Sequence, residues 1–247
     1  MLHNKRFYRF YSSNNRWKVF NIKLHTSDLY IKASHDISEK AYILLNEARN
    51  EIEQHIKENP DFLTSLEPLT EPAVSDIISE MYRASDAAGT GPMAAVAGAI
   101  SEYVGKRLLP YTEEIVVENG GDIWMSINYP VYLGIYSDNI YFKDKLALKI
   151  DNAKTPCAVC TSSSKTGHSL SFGKADSVTV VALNGAYADA VATETCNRVK
   201  TRADMEKALE FALSVPFVKG CLIVFKDRIA ALGDIELAPP EQHNRVV

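Results

Sequence analysis

The feature that most constrains this chain is Asn119-Gly120-Gly121, set between two β-rich stretches, Glu114 to Glu118 and Asp122 to Ile127. Glycines accept the positive φ that a tight hairpin demands, so the segment predicts two antiparallel strands joined by a short turn. Other stretches extend the pattern. Phe7 to Tyr11, Trp17 to Leu24 and Tyr30 to Ala33 are aromatic and β-branched, with Ser-Ser-Asn-Asn and Thr-Ser-Asp between them, and predict a three-stranded antiparallel opening. Gly220 to Phe225 and Arg228 to Leu232 pair across Lys226-Asp227, and short strands are expected at Val131 to Tyr136, Leu146 to Ile150 and Ser177 to Leu183.

Helical periodicity occupies the rest. From Ser38 to Asn59-Pro60, residues Ala41, Leu44, Leu45, Ala48, Ile52 and Ile56 share one face. Glu71 to Ala87 repeats the pattern with Val74, Ile77, Ile78 and Met81. Pro92 then opens Met93 to Leu108, a helix built from Ala94, Ala95, Ala97, Gly98 and Ala99, so small that another backbone must lie against it. Ala186 to Val199 and Arg202 to Leu213 complete the set. Strands and helices come in blocks, which predicts an α+β fold with a mixed or antiparallel sheet and helices packed on it. No linker or repeat interrupts the chain, so a single domain over residues 1–247 is expected. Within it, 1–60 supplies the opening strands and first helix, 85–200 the ligand region and 239–247 a frayed tail.

Composition narrows the function classes. At 46% apolar and 23% charged residues the chain is of ordinary globular composition. Its longest apolar run, Met93 to Ile100, is far short of the ~20 residues that span a bilayer, so no membrane segment is expected. A net charge of −4 argues against a nucleic-acid partner. Lys5, Arg6, Arg9, Arg16, Lys18 and Lys23 precede the first acid, Asp28, but aromatics interleave with them, which reads as strands rather than a targeting segment. Four cysteines do not make a disulfide scaffold, and a cytoplasmic location is expected.

Several motifs could carry chemistry. Gly89-x-Gly91-x-x-Ala94 precedes a helix N-terminus, where exposed N–H groups can receive an anionic small molecule; a preceding helix makes a C-cap followed by an N-terminal Pro the competing reading. Asp189 and Thr193 lie one turn apart on an alanine-rich helix, a pair of oxygens suited to Mg²⁺, although such pairs are common on solvated faces. Cys157 and Cys160 form a CxxC that lacks the further ligands zinc needs; it reads either as a thiol pair or as two small core residues. The hydroxyl-rich stretch from Thr161 to Asp176 includes Ser162, Ser163 and the titratable His168, and reads as a solvent or a ligand loop.

Taken in order, Gly89-Thr-Gly-Pro-Met-Ala-Ala-Val-Ala-Gly-Ala-Ile, Val117-Glu-Asn-Gly-Gly-Asp-Ile, Cys160-Thr-Ser-Ser-Ser and Ser177-Val-Thr-Val-Val-Ala, followed by Tyr187-Ala-Asp-Ala-Val-Ala-Thr193, resemble ApbE-like proteins, in particular a shorter branch found in strict anaerobes. The resemblance covers about residues 85–200. It implies the ApbE-type fold with a cleft between the glycine-led helix and the Asn-Gly-Gly-Asp hairpin. In flavin transferases of that superfamily FAD is bound, Mg²⁺ is held partly by an Asp and a Thr, and FMN passes to a protein Thr or Ser. By resemblance, Asp189 and Thr193 hold the metal, while Asn119, Gly120, Gly121 and Asp122 line the cleft. Where the transferases carry His-x-Ile-Asp-Pro-x-Thr-Gly, this chain has His168-Ser-Leu-Ser-Phe-Gly-Lys-Ala, so the Asp, Pro and Thr are missing. The anaerobe branch further implies reductive sulfur assimilation and homocysteine formation. The leading expectation is therefore an accessory protein of sulfur incorporation, in which Cys160 and Cys157 handle sulfide or persulfide beside His168 and a sulfur-assimilation enzyme or a second copy is the partner. The alternative is a Mg²⁺-dependent flavin transferase.

Overall fold

Alternation of inward and outward side chains along the strands sets the two faces of the sheet on which this chain is built. The computed structural model describes residues 16–70, 75–135, 141–142, 145–164 and 173–239. Among them the strands are β1 (Lys18–Leu24), β2 (Ser27–Ala33), β3 (Ile115–Asn119), β4 (Asp122–Ser126), β5 (Val131–Gly134), β6 (Ala147–Ile150), β7 (Cys157–Ser162), β8 (Ser177–Ala182), β9 (Val218–Phe225), β10 (Arg228–Gly233) and β11 (Leu237–Ala238). The helices are α1 (Ser38–Glu58), α2 (Asp61–Thr64), α3 (Asp76–Ala88), α4 (Val96–Leu108), α5 (Gly185–Arg198) and α6 (Met205–Ser214).

The main sheet has eight strands in the order β1-β2-β3-β4-β7-β8-β9-β10, every neighbouring pair antiparallel. Chain order and spatial order coincide except for one excursion, β5 and β6, which join β11 in a separate three-stranded sheet. This is the α+β architecture expected, with the sheet wholly antiparallel. One face carries Leu29, Ile31, Val117, Trp124, Ala158, Cys160 and Val180, packed with Leu45, Met81, Val104 and Val191 from the helices. The other face carries Val116, Ile123, Met125, Cys157, Val159 and Leu222, packed with Val131, Leu133, Leu148 and Ile150 of the small sheet. The start of the described chain is tied down by Arg16, whose Nε donates to Glu114 Oε1 at 2.6 Å and whose guanidinium lies 4.4 Å from the Trp17 ring.

Three elements depart from expectation. The stretch Cys157–Ser162 is a strand at the centre of the sheet, where the sequence offers a thiol pair or two small core residues leading into a loop. It is buried on both faces and so shows no alternation, and only Val159 and Thr161 carry strong β propensity among Cys, Ala and Ser. The helix expected from Met93 begins instead at Val96, after a 3₁₀ turn over Pro92–Ala95. Leu237–Ala238 pairs with β6 just before the expected frayed tail. The expected strand Phe7 to Tyr11, His168 and the end of the chain from Pro240 lie outside the described residues. Among the described residues no helix is long and apolar enough to cross a membrane.

On the face away from the helices, β2 carries Lys32 into the interior. The side chain is fully buried, its Nζ lies 5.5 Å from the Tyr30 ring, and it has no hydrogen-bond partner. Burial pushes the ammonium down to about 7, and the charge of nearby Glu118 opposes that fall only in part. An unfolded lysine releases its proton near 10.5. Between about pH 7 and that value the unfolded chain therefore binds a proton that the folded chain has lost, and stability rises with pH through this window. Above about pH 8.5 the buried thiols of Cys157, Cys160 and Cys221 oppose this rise, since they keep protons that the unfolded chain loses. Melting temperatures measured from pH 7 to about 8.5 are expected to climb in the native protein, while Lys32→Met is expected to flatten this climb and raise the melting temperature at pH 7.

Candidate functional site

The small-residue face of α4 meets the N-terminus of α5 backbone to backbone. A Cβ built on Gly98 would lie 2.1 Å from the Gly185 carbonyl oxygen, and one on Gly185 would lie 2.4 Å from the Gly98 oxygen. At this crossing each helix caps the other. Asp189 of α5 accepts through Oδ2 from the N–H groups of Ala97 (3.0 Å) and Gly98 (2.9 Å), the unsatisfied donors of the first turn of α4. In return Glu102 of α4 accepts from the Gly185 N–H at the start of α5 and pairs with Lys106. Both carboxylates sit where a helix dipole favours negative charge. Asn184 completes the α5 cap by accepting from the Tyr187 N–H at 3.1 Å.

The β3–β4 hairpin reaches the same place. Its turn residues Gly120 and Gly121 have φ of 72° and 111°, and Gly121 has open space where a side chain would be. Glu118 steadies the turn by accepting from the Gly121 N–H at 2.9 Å. On the helix-facing side, Asn119 donates to the Ala97 carbonyl at 3.3 Å, so the hairpin is fastened to the end of α4. Asp122 accepts from the Thr161 N–H at 3.2 Å and lies within electrostatic reach of Asp189, while the neighbouring Cys160 thiol donates to the Gly185 carbonyl at 3.7 Å. Burial, followed by the charge of Asp189, pushes the Asp122 carboxyl well up; the bond from the Thr161 N–H opposes this. Burial also raises Asp189, against the two backbone N–H bonds. Two buried acids confronting each other in this way favour uptake of a proton or a cation.

The structure thus brings Asp189, Asp122 and Asn119 together and separates several other candidates from them. Gly89 is the left-handed C-cap of α3, its N–H bonded to the Ser85 carbonyl. Gly91 is filled by protein: a Cβ there would lie 1.7 Å from the Ser65 carbonyl oxygen. The expected anion cradle at the glycine-led helix is therefore corrected, since the helix N-terminus already holds the carboxylate of Asp189. The CxxC reading is corrected as well. Residues three apart on a strand point to opposite faces, and Cys157 joins the core beneath the small sheet while Cys160 faces the helices. The two sulfurs cannot act as a pair. Burial pushes the Cys157 thiol up to about 12, and burial together with Asp122 and Asp189 pushes Cys160 well up, the reverse of what a nucleophile requires.

Thr161 and Ser162 belong to β7 rather than to a loop. The Thr161 hydroxyl bonds Thr179 at 2.9 Å, whereas Ser162 Oγ, two residues beyond Cys160 on the same face, is buried without a partner. Ser163 follows the end of the strand and is half-buried. Thr193 is buried one turn after Asp189 on α5. The contributions of Ala97, Gly98, Glu102 and Glu118 went unread in the sequence. Backbone donors leave no residue signature, although the pairing of Gly98 with a second glycine at the start of a distant helix was a usable sign.

Among the described residues no three His, Cys, Asp or Glu side chains gather into a metal cage. The donors available are oxygens, namely two carboxylates and the Thr193 hydroxyl. They suit a hard cation that keeps waters or takes the rest of its ligands from a bound phosphate. Two substitutions test the crossing. Gly98→Ala is expected to cost about 2–3 kcal/mol through forced overpacking, measured by urea denaturation. Asp189→Ala is expected to be less stable than Asp189→Asn by about 1–2 kcal/mol, because only asparagine keeps an acceptor for the α4 donors.

Comparison with known proteins agrees with this architecture. A family model described as AbpE bacteria matches residues 9–212. The UPF0280 protein of Methanobrevibacter smithii is 39% identical over 204 residues, covering 79% of this chain and 86% of that protein. The UPF0280 protein of Methanocaldococcus jannaschii is 40% identical over 225 residues and 88% of both chains. Among solved structures, the flavin transferase ApbE from Vibrio cholerae superposes with a TM-score of 0.58 at 13% identity, covering 88% of this chain and 96% of that one. The apo flavinyl transferase ApbE of Pseudomonas stutzeri superposes with a TM-score of 0.55 at 13% identity, over 88% and 94%. The fold is thus that of the ApbE flavin transferases, and the chain belongs to the AbpE bacteria family, as an ApbE-like branch with UPF0280 relatives in Methanobrevibacter smithii and Methanocaldococcus jannaschii.

Proposed function

We propose that this chain binds FAD together with a divalent cation and acts as a flavin transferase. The observation that carries this reading is the confrontation of Asp122 and Asp189 beside the open turn at Gly121, in a fold whose solved examples include flavin transferases. Asp189 and Thr193 would hold the cation, with Asp122 opposite; their oxygen donors fit Mg²⁺, which takes few protein ligands and prefers to share phosphate oxygens. Asn119, Gly120, Gly121 and Asp122 would form the wall against which the dinucleotide rests. When bound, Mg²⁺ would offset the charge of the pyrophosphate.

The protein's own part is positional. The Thr161 N–H donates to Asp122 and keeps that carboxylate oriented, while the α4 donors fix one oxygen of Asp189 and leave the other for the ligand side. In the transfer, an acceptor hydroxyl oxygen forms a bond to the FMN phosphorus, the bond from that phosphorus to the bridging oxygen breaks, AMP leaves, and the hydroxyl proton passes to solvent. The chain lacks the Asp, Pro and Thr of the transferase motif after His168, so its acceptor is expected to be held differently from theirs.

The reading in which two cysteines handle sulfide draws less support. It would have to run through Cys160 alone, whose thiol is held protonated by burial and two carboxylates. Titration calorimetry with FAD distinguishes the readings. Binding is expected in Mg²⁺ and at least tenfold weaker in a chelator or in Asp189→Ala, with Cys157→Ala, which alters only the opposite face of the sheet, unchanged. A protein that binds no flavin with or without Mg²⁺ would refute the proposal.

A further inference from the structure

A pyrophosphate asks for hydrogen-bond donors as well as a cation, because one ion offsets only part of the charge its oxygens carry. At the acidic corner the donors described so far are already committed. The N–H groups of Ala97 and Gly98 serve Asp189, that of Thr161 serves Asp122 and that of Gly121 serves Glu118. The amide of Asn119 is spent on the Ala97 carbonyl, and the Thr161 hydroxyl is paired with that of Thr179. Ser162 is different. The residue is only 5% exposed, and its Oγ is buried with no hydrogen-bond partner, a standing cost to the fold.

The topology puts this hydroxyl level with Asp189. Ser162 follows Cys160 by two residues on β7, so both side chains take the helix-facing side of the sheet. Cys160 Sγ lies 3.7 Å from the carbonyl oxygen of Gly185, the first residue of α5. β8 runs antiparallel to β7, and α5, which turns back after β8, therefore runs alongside β7 in the same direction. From Cys160 to Ser162 the strand advances about 6.6 Å, and from Gly185 to Asp189 the helix advances about 6 Å. The neighbouring strand agrees. Ile123 is opposite Val159, and that register, continued, sets Asp122 opposite Cys160 and Gly120, which has no side chain to fill the gap, opposite Ser162.

We propose that Ser162 is a binding residue for the dinucleotide, its hydroxyl donating to a pyrophosphate oxygen beside the cation; this rests on the flavin reading above. A serine suits the place because it adds a donor without adding charge to a corner where two carboxylates already need a counter-ion. Ser162→Ala separates this role from a structural one. Removing an unpaired buried hydroxyl relieves the fold, whereas removing a ligand contact weakens binding. The variant is expected to melt no lower than the native protein and to bind FAD in Mg²⁺ at least about tenfold more weakly by titration calorimetry. Phosphorus NMR of the bound dinucleotide is expected to show a shifted pyrophosphate resonance in the variant. Mn²⁺ titrated without flavin and followed by paramagnetic resonance is expected to bind both proteins alike. A variant that binds FAD as tightly as the native protein, or weakly with unmoved phosphorus resonances, would overturn the inference and leave the flavin reading standing. A native protein that binds no FAD would overturn both. A variant that melts lower would make the hydroxyl structural, and one that loses Mn²⁺ affinity in step with FAD would place it on the cation; either result also overturns the inference.

Discussion

The exchange of carboxylates between α4 and α5 is the constraint on which the rest of this structure depends. Two helices can approach with backbones in contact only where both lack side chains, and Gly98 and Gly185 supply that gap. Contact this close turns unsatisfied helix ends inward, where water cannot reach them and each donor needs a protein acceptor. Asp189 and Glu102 supply the acceptors, one in each direction. The hairpin then fastens to the same corner through Asn119. The chemistry-bearing residues are thus gathered by the need to satisfy backbone groups, and the site comes into being where that need is met.

This arrangement explains why Asp189 and Asp122 can face each other at all. Two buried carboxylates repel, and neither would persist ionised without donors to hold it. Asp189 has two N–H groups from a helix end, while Asp122 has the Thr161 N–H. The remaining imbalance would favour a proton or a positive ion at this corner. A cysteine in such surroundings serves as a hydrogen-bond donor and a small core residue, which accounts for its presence without any reactive role.

Much of the fold was legible because it is written in local terms. The turn at Asn119-Gly120-Gly121, the stripe of α1 and the hairpin at Lys226-Asp227 each need only a few neighbouring residues to be recognised, and each stands where expected. The small residues of Met93 to Leu108 also announced a close backbone contact, though not its partner. What was missed depends on burial. β7 is covered on both faces and therefore shows no alternation, so its spacing left a thiol pair and two small core residues both open, and the cysteines are two unrelated core positions. The Asp189 and Thr193 spacing had no force on its own, because a carboxylate on a helix face is ordinary. Only the tertiary contact shows that it meets another helix's open end.

The order of the main sheet has a consequence for how this family can vary. Each strand lies beside its neighbour in sequence, apart from the detour that leaves after Ser126 and returns at Cys157. Because β4 and β7 are paired directly, the detour is a closed appendix to the ladder: its length can grow or shrink without shifting the register of any strand that carries the acidic corner. Such a layout confines tolerance for insertion to the connections of the detour, since its strands β5 and β6 still cover the face of the sheet opposite the helices.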